Sequence, residues 1–224
     1  MHPRRSTVPA LALTLAVVAC GSSTTSTSST TKPAPSTTTG ASTEQPSSAV
    51  WPLAASPIRY TDPVKAATGF ATTYLNFVNP VVGRFRAGDR RSGEVVVRPT
   101  SSGPQTTVIV RRLAPDDSWW VLGASTPNLQ VQSPSAGASI TSPVTLSGTS
   151  TAFEGTVSVE IRADGSTAPI ATDFVTGGAN GTFGPFSKSI PFDTPTGRGA
   201  IILKTFGTEN NVLWETSVVR VQFS

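Results

Sequence analysis

The chain has 224 residues, 17 Lys plus Arg against 13 Asp plus Glu, and a net charge of +4. Charged side chains are 13% of the total, about half the usual share of a soluble domain, and Gly and Pro number 19 each, a balance that favours strands, turns and linkers over helices. The one His is residue 2 and the one Cys is residue 20, so a chain without residues 1–19 has no histidine and no thiol beyond its first position, which excludes His-based triads, His-ligated zinc and disulfide scaffolds.

Arg4 and Arg5 give a short basic start, and residues 8–19 are apolar or small apart from Pro9 and Thr14. That run has the length of a signal-peptide hydrophobic region and is too short to span a bilayer as a helix. It ends Val17-Val18-Ala19-Cys20-Gly21, which resembles the lipobox of bacterial lipoproteins. The resemblance implies cleavage before Cys20 and a diacylglycerol on its sulfur. Residues 1–19 are therefore expected to be a lipoprotein signal peptide, with Cys20 the lipidated residue. An ordinary secretory signal would instead leave an unpaired thiol on an exported protein. Several acyl chains anchor firmly, because each buried CH₂ contributes about 0.8 kcal/mol. The expected location is the extracytoplasmic face of the cell membrane.

Residues 20–50 read as a disordered tether. Of residues 21–50, 18 are Ser or Thr, with Pro33, Pro35 and Pro46 among them and almost no apolar side chain before Val50. Such a segment cannot bury enough surface to offset the entropy of ordering. It would span about 30 Å as a flexible coil and about 100 Å at full stretch. The composition also resembles O-glycosylated stalks; a plain spacer is the other reading.

Residues 51–128 are expected to form a small α+β domain. Asp62 can cap a helix whose first position is Pro63. Ala67, Phe70, Ala71, Tyr74, Leu75 and Val78 recur at helical spacing, and Asn79-Pro80 is expected to end the helix. Strand patterns follow over 93–98, 106–113 and 118–122, with turn clusters at 101–104 and 114–117. The expectation is an antiparallel meander with the helix on one face.

Residues 129–224 show no helical period. Seven strand candidates fall near 129–132, 144–148, 157–163, 170–175, 186–190, 200–206 and 213–223, with hairpin dipeptides at Asp164-Gly165 and Asn180-Gly181. That spacing predicts an immunoglobulin-like β-sandwich without the usual Cys pair. The fold class expected for the whole chain is mainly β with a small α+β part.

Five segments of this region appear in order: Val131-Gln132-Ser133-Pro134, then Ser142-Pro143-Val144-Thr145-Leu146-Ser147-Gly148-Thr149, then Ala152-Phe153-Glu154-Gly155-Thr156-Val157, then Gly181-Thr182-Phe183-Gly184-Pro185-Phe186, and last Val218-Val219-Arg220-Val221-Gln222-Phe223. Together they resemble the immunoglobulin-like domain named for bacterial spore germination. The resemblance implies an extracytoplasmic sandwich, without catalytic residues or a defined ligand.

The candidate chemistry is sparse. Glu154 interrupts small and apolar residues; the expectation is that Phe153 plugs the core and Glu154 accepts backbone N–H groups in a turn. Asp116 and Asp117 suit a hairpin turn. Residues 56–128 carry nine basic and five acidic side chains, whereas 129–224 carry five and seven. Within the first, Arg84, Arg86, Arg90 and Arg91 could form a cationic patch for anionic wall polymer or lipid headgroups; the other reading is a solvated loop and strand edge. Trp119 and Trp120 are adjacent and so face opposite sides of a strand. One is expected in the core, the other on the open sheet or at the domain junction. No cofactor, metal or nucleic acid is expected. The functional expectation is a non-catalytic, membrane-anchored envelope lipoprotein that binds or organises an envelope protein or wall polymer. The alternative is a small-ligand or glycan site beside Trp119 and Trp120 in the α+β part. An enzyme would need two facing carboxylates.

Overall fold

The computed structural model describes residues 45–193, 195–208 and 211–224. The signal segment, Cys20 and most of the Ser/Thr-rich stretch lie outside the described residues. What is described is mainly β, with two sheets and one short α-helix.

The helix α1 spans Pro63–Gly69 and starts where the sequence places it. The Asp62 carboxylate accepts hydrogen bonds from the N–H groups of Val64 (2.8 Å) and Lys65 (3.0 Å), and Pro63 takes the first position. The end differs from the expected one. A π-helical turn, Phe70–Tyr74, follows directly. In it the Leu75 N–H reaches back to the Phe70 carbonyl, and the Phe77 N–H bonds to that of Ala71. Asn76 then takes φ 67°, which stops the helix before Asn79-Pro80. The wider turn rotates the face: Tyr74, Leu75 and Phe77 are buried, whereas Val78, expected in the core, is 62% exposed.

Below the helix lies an antiparallel meander: β1 (Val81–Ala87), β2 (Ser92–Arg98), β3 (Thr106–Leu113) and β4 (Ser118–Ser125). The first strand was not among the sequence expectations. The period-2 rule sorts the faces. Val95, Val97, Val108, Val110, Trp119 and Val121 lie under Ala66, Ala67, Phe70, Ala71 and Tyr74. Val50, Trp51 and Tyr60 meet the edge of β4 opposite β3, where Val121 exchanges hydrogen bonds with Val50 and Trp51, and the Trp119 N–H donates to the Tyr60 carbonyl.

All seven strands expected after residue 128 are present: β5 (Leu129–Ser133), β7 (Val144–Ala152), β8 (Thr156–Ala163), β9 (Ala171–Thr176), β11 (Gly184–Ile190), β12 (Gly197–Phe206) and β13 (Leu213–Phe223). Two short strands, β6 (Ala138–Ile140) and β10 (Gly178–Ala179), add to them. The larger sheet has the order β1-β2-β3-β4-β13-β12-β8-β9, with β6 on β13. The smaller has the order β10-β7-β11, with β5 on β7.

The larger sheet therefore continues across the stretch between the α+β and sandwich parts. The link is narrow: β4 meets β13 at the single pair Ala124 and Val218. Gly123 makes the approach possible, since a Cβ there would lie 2.7 Å from the Val218 carbonyl oxygen. Residues 126–128 are tied down as well. The Thr151 N–H donates to the Asn128 carbonyl (2.9 Å), and the Ser217 hydroxyl to that of Leu129 (2.6 Å).

Every residue from Gly199 to Thr205 in β12 is buried. Ala200 and Ile202 face the helix with Val218, while Ile201 and Leu203 face the smaller sheet with Val221 and Phe223. A one-sided sheet would leave one of each neighbouring pair in water. Ile201→Ala and Ile202→Ala are thus each expected to cost about 2–5 kcal/mol in urea unfolding; a small loss for either would mean that its face is not a packed one.

Candidate functional site

The residues singled out from sequence do not converge. Trp119 is 4% exposed and lies under the helix, edge-on to Phe85 (5.1 Å between ring centroids) with the Arg112 guanidinium 5.0 Å from its ring. Trp120 is 1% exposed, packed with Ala49, Leu113 and Leu122, and Arg59 lies 5.1 Å from its ring. The expectation that one tryptophan stands on an open face or junction is corrected: the segment leading to the helix covers the outer one.

Arg84, Arg86 and Arg90 are exposed, the first two on β1 and the third in the turn after it. Phe85 points into the core, so Arg84 and Arg86 occupy the opposite face. Asp89 shapes the turn by accepting the N–H groups of Arg91 and Ser92 (2.6 Å each), which hold its carboxyl below the usual range. Arg91 is spent differently. It pairs with Asp117 at 2.7 Å, and Arg112 meets the same carboxylate at 2.8 Å. Asp116 and Asp117 do sit in the β3–β4 hairpin turn, and Asp116 also pairs with Arg59 (2.9 Å).

The Phe153-Glu154 expectation is overturned. Glu154 takes φ 53° and Gly155 φ 71°, so the chain turns sharply there and throws Phe153 outward, 54% exposed. Phe153 borders a cleft of about 630 Å³ at one end of the sandwich. The walls come from separate elements: Thr151 to Phe153 at the end of β7, Thr205 and Phe206 at the end of β12, Trp214 and Glu215 at the start of β13, Asn128 from the connection, and Thr100 from the β2–β3 turn.

A register shift between Thr205 and Phe206 makes this arrangement. The extra residue is Trp214, half-buried, and Glu215 pairs with Thr205 across the ladder. Glu215 is 3% exposed. Its carboxylate accepts the Thr126 hydroxyl and the Asn128 side-chain amide (3.2 and 3.4 Å). Burial pushes its pKa up, and the hydrogen bonds from Thr126 and Asn128 offset this only in part. No cation pairs with it among the described residues. The sequence signal is an acid beside Trp214 in a buried strand whose one other charged residue, Arg220, pairs with Asp164.

A second buried cluster is structural. On the helix side of the sheet Glu160 binds Arg162 and Lys204 (2.5 Å to Lys204). Arg162 donates to the Tyr74 carbonyl at 2.7 Å and lies 4.8 Å from its ring, fastening the helix end to β8. Burial alone would raise the Glu160 carboxyl, but Lys204 and Arg162 bring it net below its usual value. Burial lowers Lys204. Among the described residues no group of three or more His, Cys, Asp or Glu could hold a metal ion, and no helix is long and apolar enough to cross a membrane.

Comparison with family models identifies the sandwich. Residues 128–210 match the immunoglobulin-like domain of bacterial spore germination. The match covers four of the five resembling segments and stops before the closing strand β13. No curated protein and no solved structure matches the chain.

Glu215 makes stability depend on pH in a distinctive direction. A carboxyl whose folded pKa lies above its ordinary value near 4.5 binds more protons folded than unfolded between the two. Its contribution to stability is therefore lost as pH rises through that window. Glu215→Gln removes the contribution, so the melting temperature of the variant relative to the parent is expected to rise from about pH 4.5 to neutrality. A difference that stays flat across that range contradicts the raised pKa.

Proposed function

We propose that the chain is a non-catalytic lipoprotein of the cell envelope. Cys20 holds it at the extracytoplasmic face of the membrane, and the folded part binds anionic envelope components. The anchor is supported by the sequence Val17-Val18-Ala19-Cys20 behind a basic start and a short apolar run, followed by a Ser/Thr-rich spacer. The match to a bacterial immunoglobulin-like domain agrees with a binding or organising module.

The binding part rests on one observation. Arg84, Arg86 and Arg90 project from an edge strand and its turn with no ion pair among the described residues, while Arg59, Arg91 and Arg112 are held by Asp116 and Asp117. A guanidinium not engaged by a carboxylate is free to take a phosphate or carboxylate of a partner in a two-pronged hydrogen bond. Placing such groups on a strand rather than a loop reduces the ordering needed to bind. The partner class that fits is an anionic wall polymer. The alternative site beside Trp119 and Trp120 has lost its ground, because both rings are buried against protein.

Two measurements test this reading. In the membrane fraction the mature chain is expected to begin at Cys20 and to carry the added mass of a diacylglycerol on that residue, an addition absent from Cys20→Ala; an unmodified Cys20 thiol in the native chain overturns the anchor. Arg84→Glu with Arg86→Glu is expected to weaken cosedimentation with a poly(glycerol phosphate) polymer by about tenfold or more, and added salt to weaken the parent likewise. Unchanged binding in the double variant removes the arginine face from the interaction.

A further inference from the structure

We propose that the cleft bounded by Phe153 and Trp214 above Glu215 binds a neutral saccharide. This site is separate from the arginine face, and the inference goes beyond the reading above. A volume of about 630 Å³ falls within the range of small-molecule sites, with room for a short oligosaccharide.

The lining selects the chemistry. Three aromatic side chains from three elements meet the cleft: Phe153, Phe206 and Trp214. Phe153 is 54% and Phe206 37% exposed, a state that costs apolar hydration unless a ligand covers the rings. A sugar ring offers a patch of C–H groups for an aromatic face and hydroxyls at its rim. The polar groups that meet those hydroxyls are amides and alcohols, from Asn128, Thr151 and Thr205. Thr151 carries the most telling of them. Its Oγ1 lies just beneath the cleft surface with no hydrogen-bond partner, and a change of its χ1 rotamer is what would present it to a bound hydroxyl.

Charge removes the competing ligands. No Lys or Arg lines the cleft among the described residues, so an anion finds no counter-charge. Glu215 could attract an organic cation. However, both its oxygens already accept hydrogen bonds from Thr126 or Asn128, and burial favours its uncharged form. It acts as a fixed acceptor at the floor rather than an open charge. The aromatic wall is also preset: Gly207 lies against the Trp214 ring, where a Cβ would come within 3.3 Å of it.

The test is saturation-transfer NMR on the purified full-length chain, in a detergent that carries no sugar, with maltotriose, chitotriose and mannotriose as probes. Transfer to the ring protons of at least one trisaccharide is expected, with a change in tryptophan fluorescence. Trp214→Ala and Phe153→Ala are each expected to weaken binding about tenfold or more. Phe153 is exposed, so its variant keeps the fold and separates loss of a contact from loss of structure. No transfer from any probe, or equal binding by both variants, overturns the proposal. Tighter binding of tetramethylammonium than of every sugar, lost in Glu215→Gln, assigns the cleft to a cation and overturns it too.

Discussion

The β12–β13 hairpin is buried on both faces, and the rest of the fold is arranged around that fact. One face packs the helix and the other the smaller sheet, so a single pair of strands supplies apolar side chains to two cores. Buried strands leave no polar group unmatched without cost. Thr216 donates to the Leu203 carbonyl at 2.7 Å, Ser217 to that of Leu129, and Arg220 to Asp164 and the Ser47 carbonyl. Glu160 answers both Arg162 and Lys204 on the same face. Pairs of this kind add little net stability over an apolar core, but losing one partner strands the other. They fix which residues can meet.

The cleft arises where that two-faced packing ends. Beyond Thr205 the ladder slips by one residue, Trp214 becomes half-buried, and Glu215 drops beneath it. Packing up to that point holds the walls in place. The same bulge that disturbs the sheet therefore sets an aromatic ring and a buried acid side by side. Bulges at strand ends commonly re-aim side chains in this manner.

Elements with a strong local signal were legible from sequence. The Asp62 cap with Pro63, the strands β2 to β4 and the seven later strands all follow from period and punctuation. Failures came where a local break or a distant segment decides. The bulge between Val82 and Phe85 destroys the alternation of β1, so residues 84–91 read as a solvated loop and strand edge with no separate strand over 81–87. Asn76 at positive φ sends Val78 outward, which helical spacing alone does not register. Trp120 is covered by a segment with no period at all, and Phe153 is expelled by two consecutive positive φ values. The arginine strand and the cleft both involve such breaks, because a position that departs from the repeat can present a side chain that regular packing would hide. Glu215 was visible as an acid in a buried strand, but the partners that answer its burial, the Thr126 hydroxyl and the Asn128 amide, lie almost ninety positions away and only partly offset the rise that burial causes in its pKa.

The cleft also bears on what unit of the chain carries function. The family match ends at residue 210, before Trp214 and Glu215, and begins at 128, after Thr100 and Thr126. One wall is thus built by the matched domain, and the remainder by the closing strand and the preceding meander. Ala124 and Val218 join these parts in one sheet, and Gly123 permits that junction. A sandwich cut free of residues before 128 would lose the Thr126 hydroxyl on Glu215 and the Thr100 side of the opening. The chemistry of the site therefore belongs to the two halves together, and resemblance to an immunoglobulin-like domain alone does not carry it.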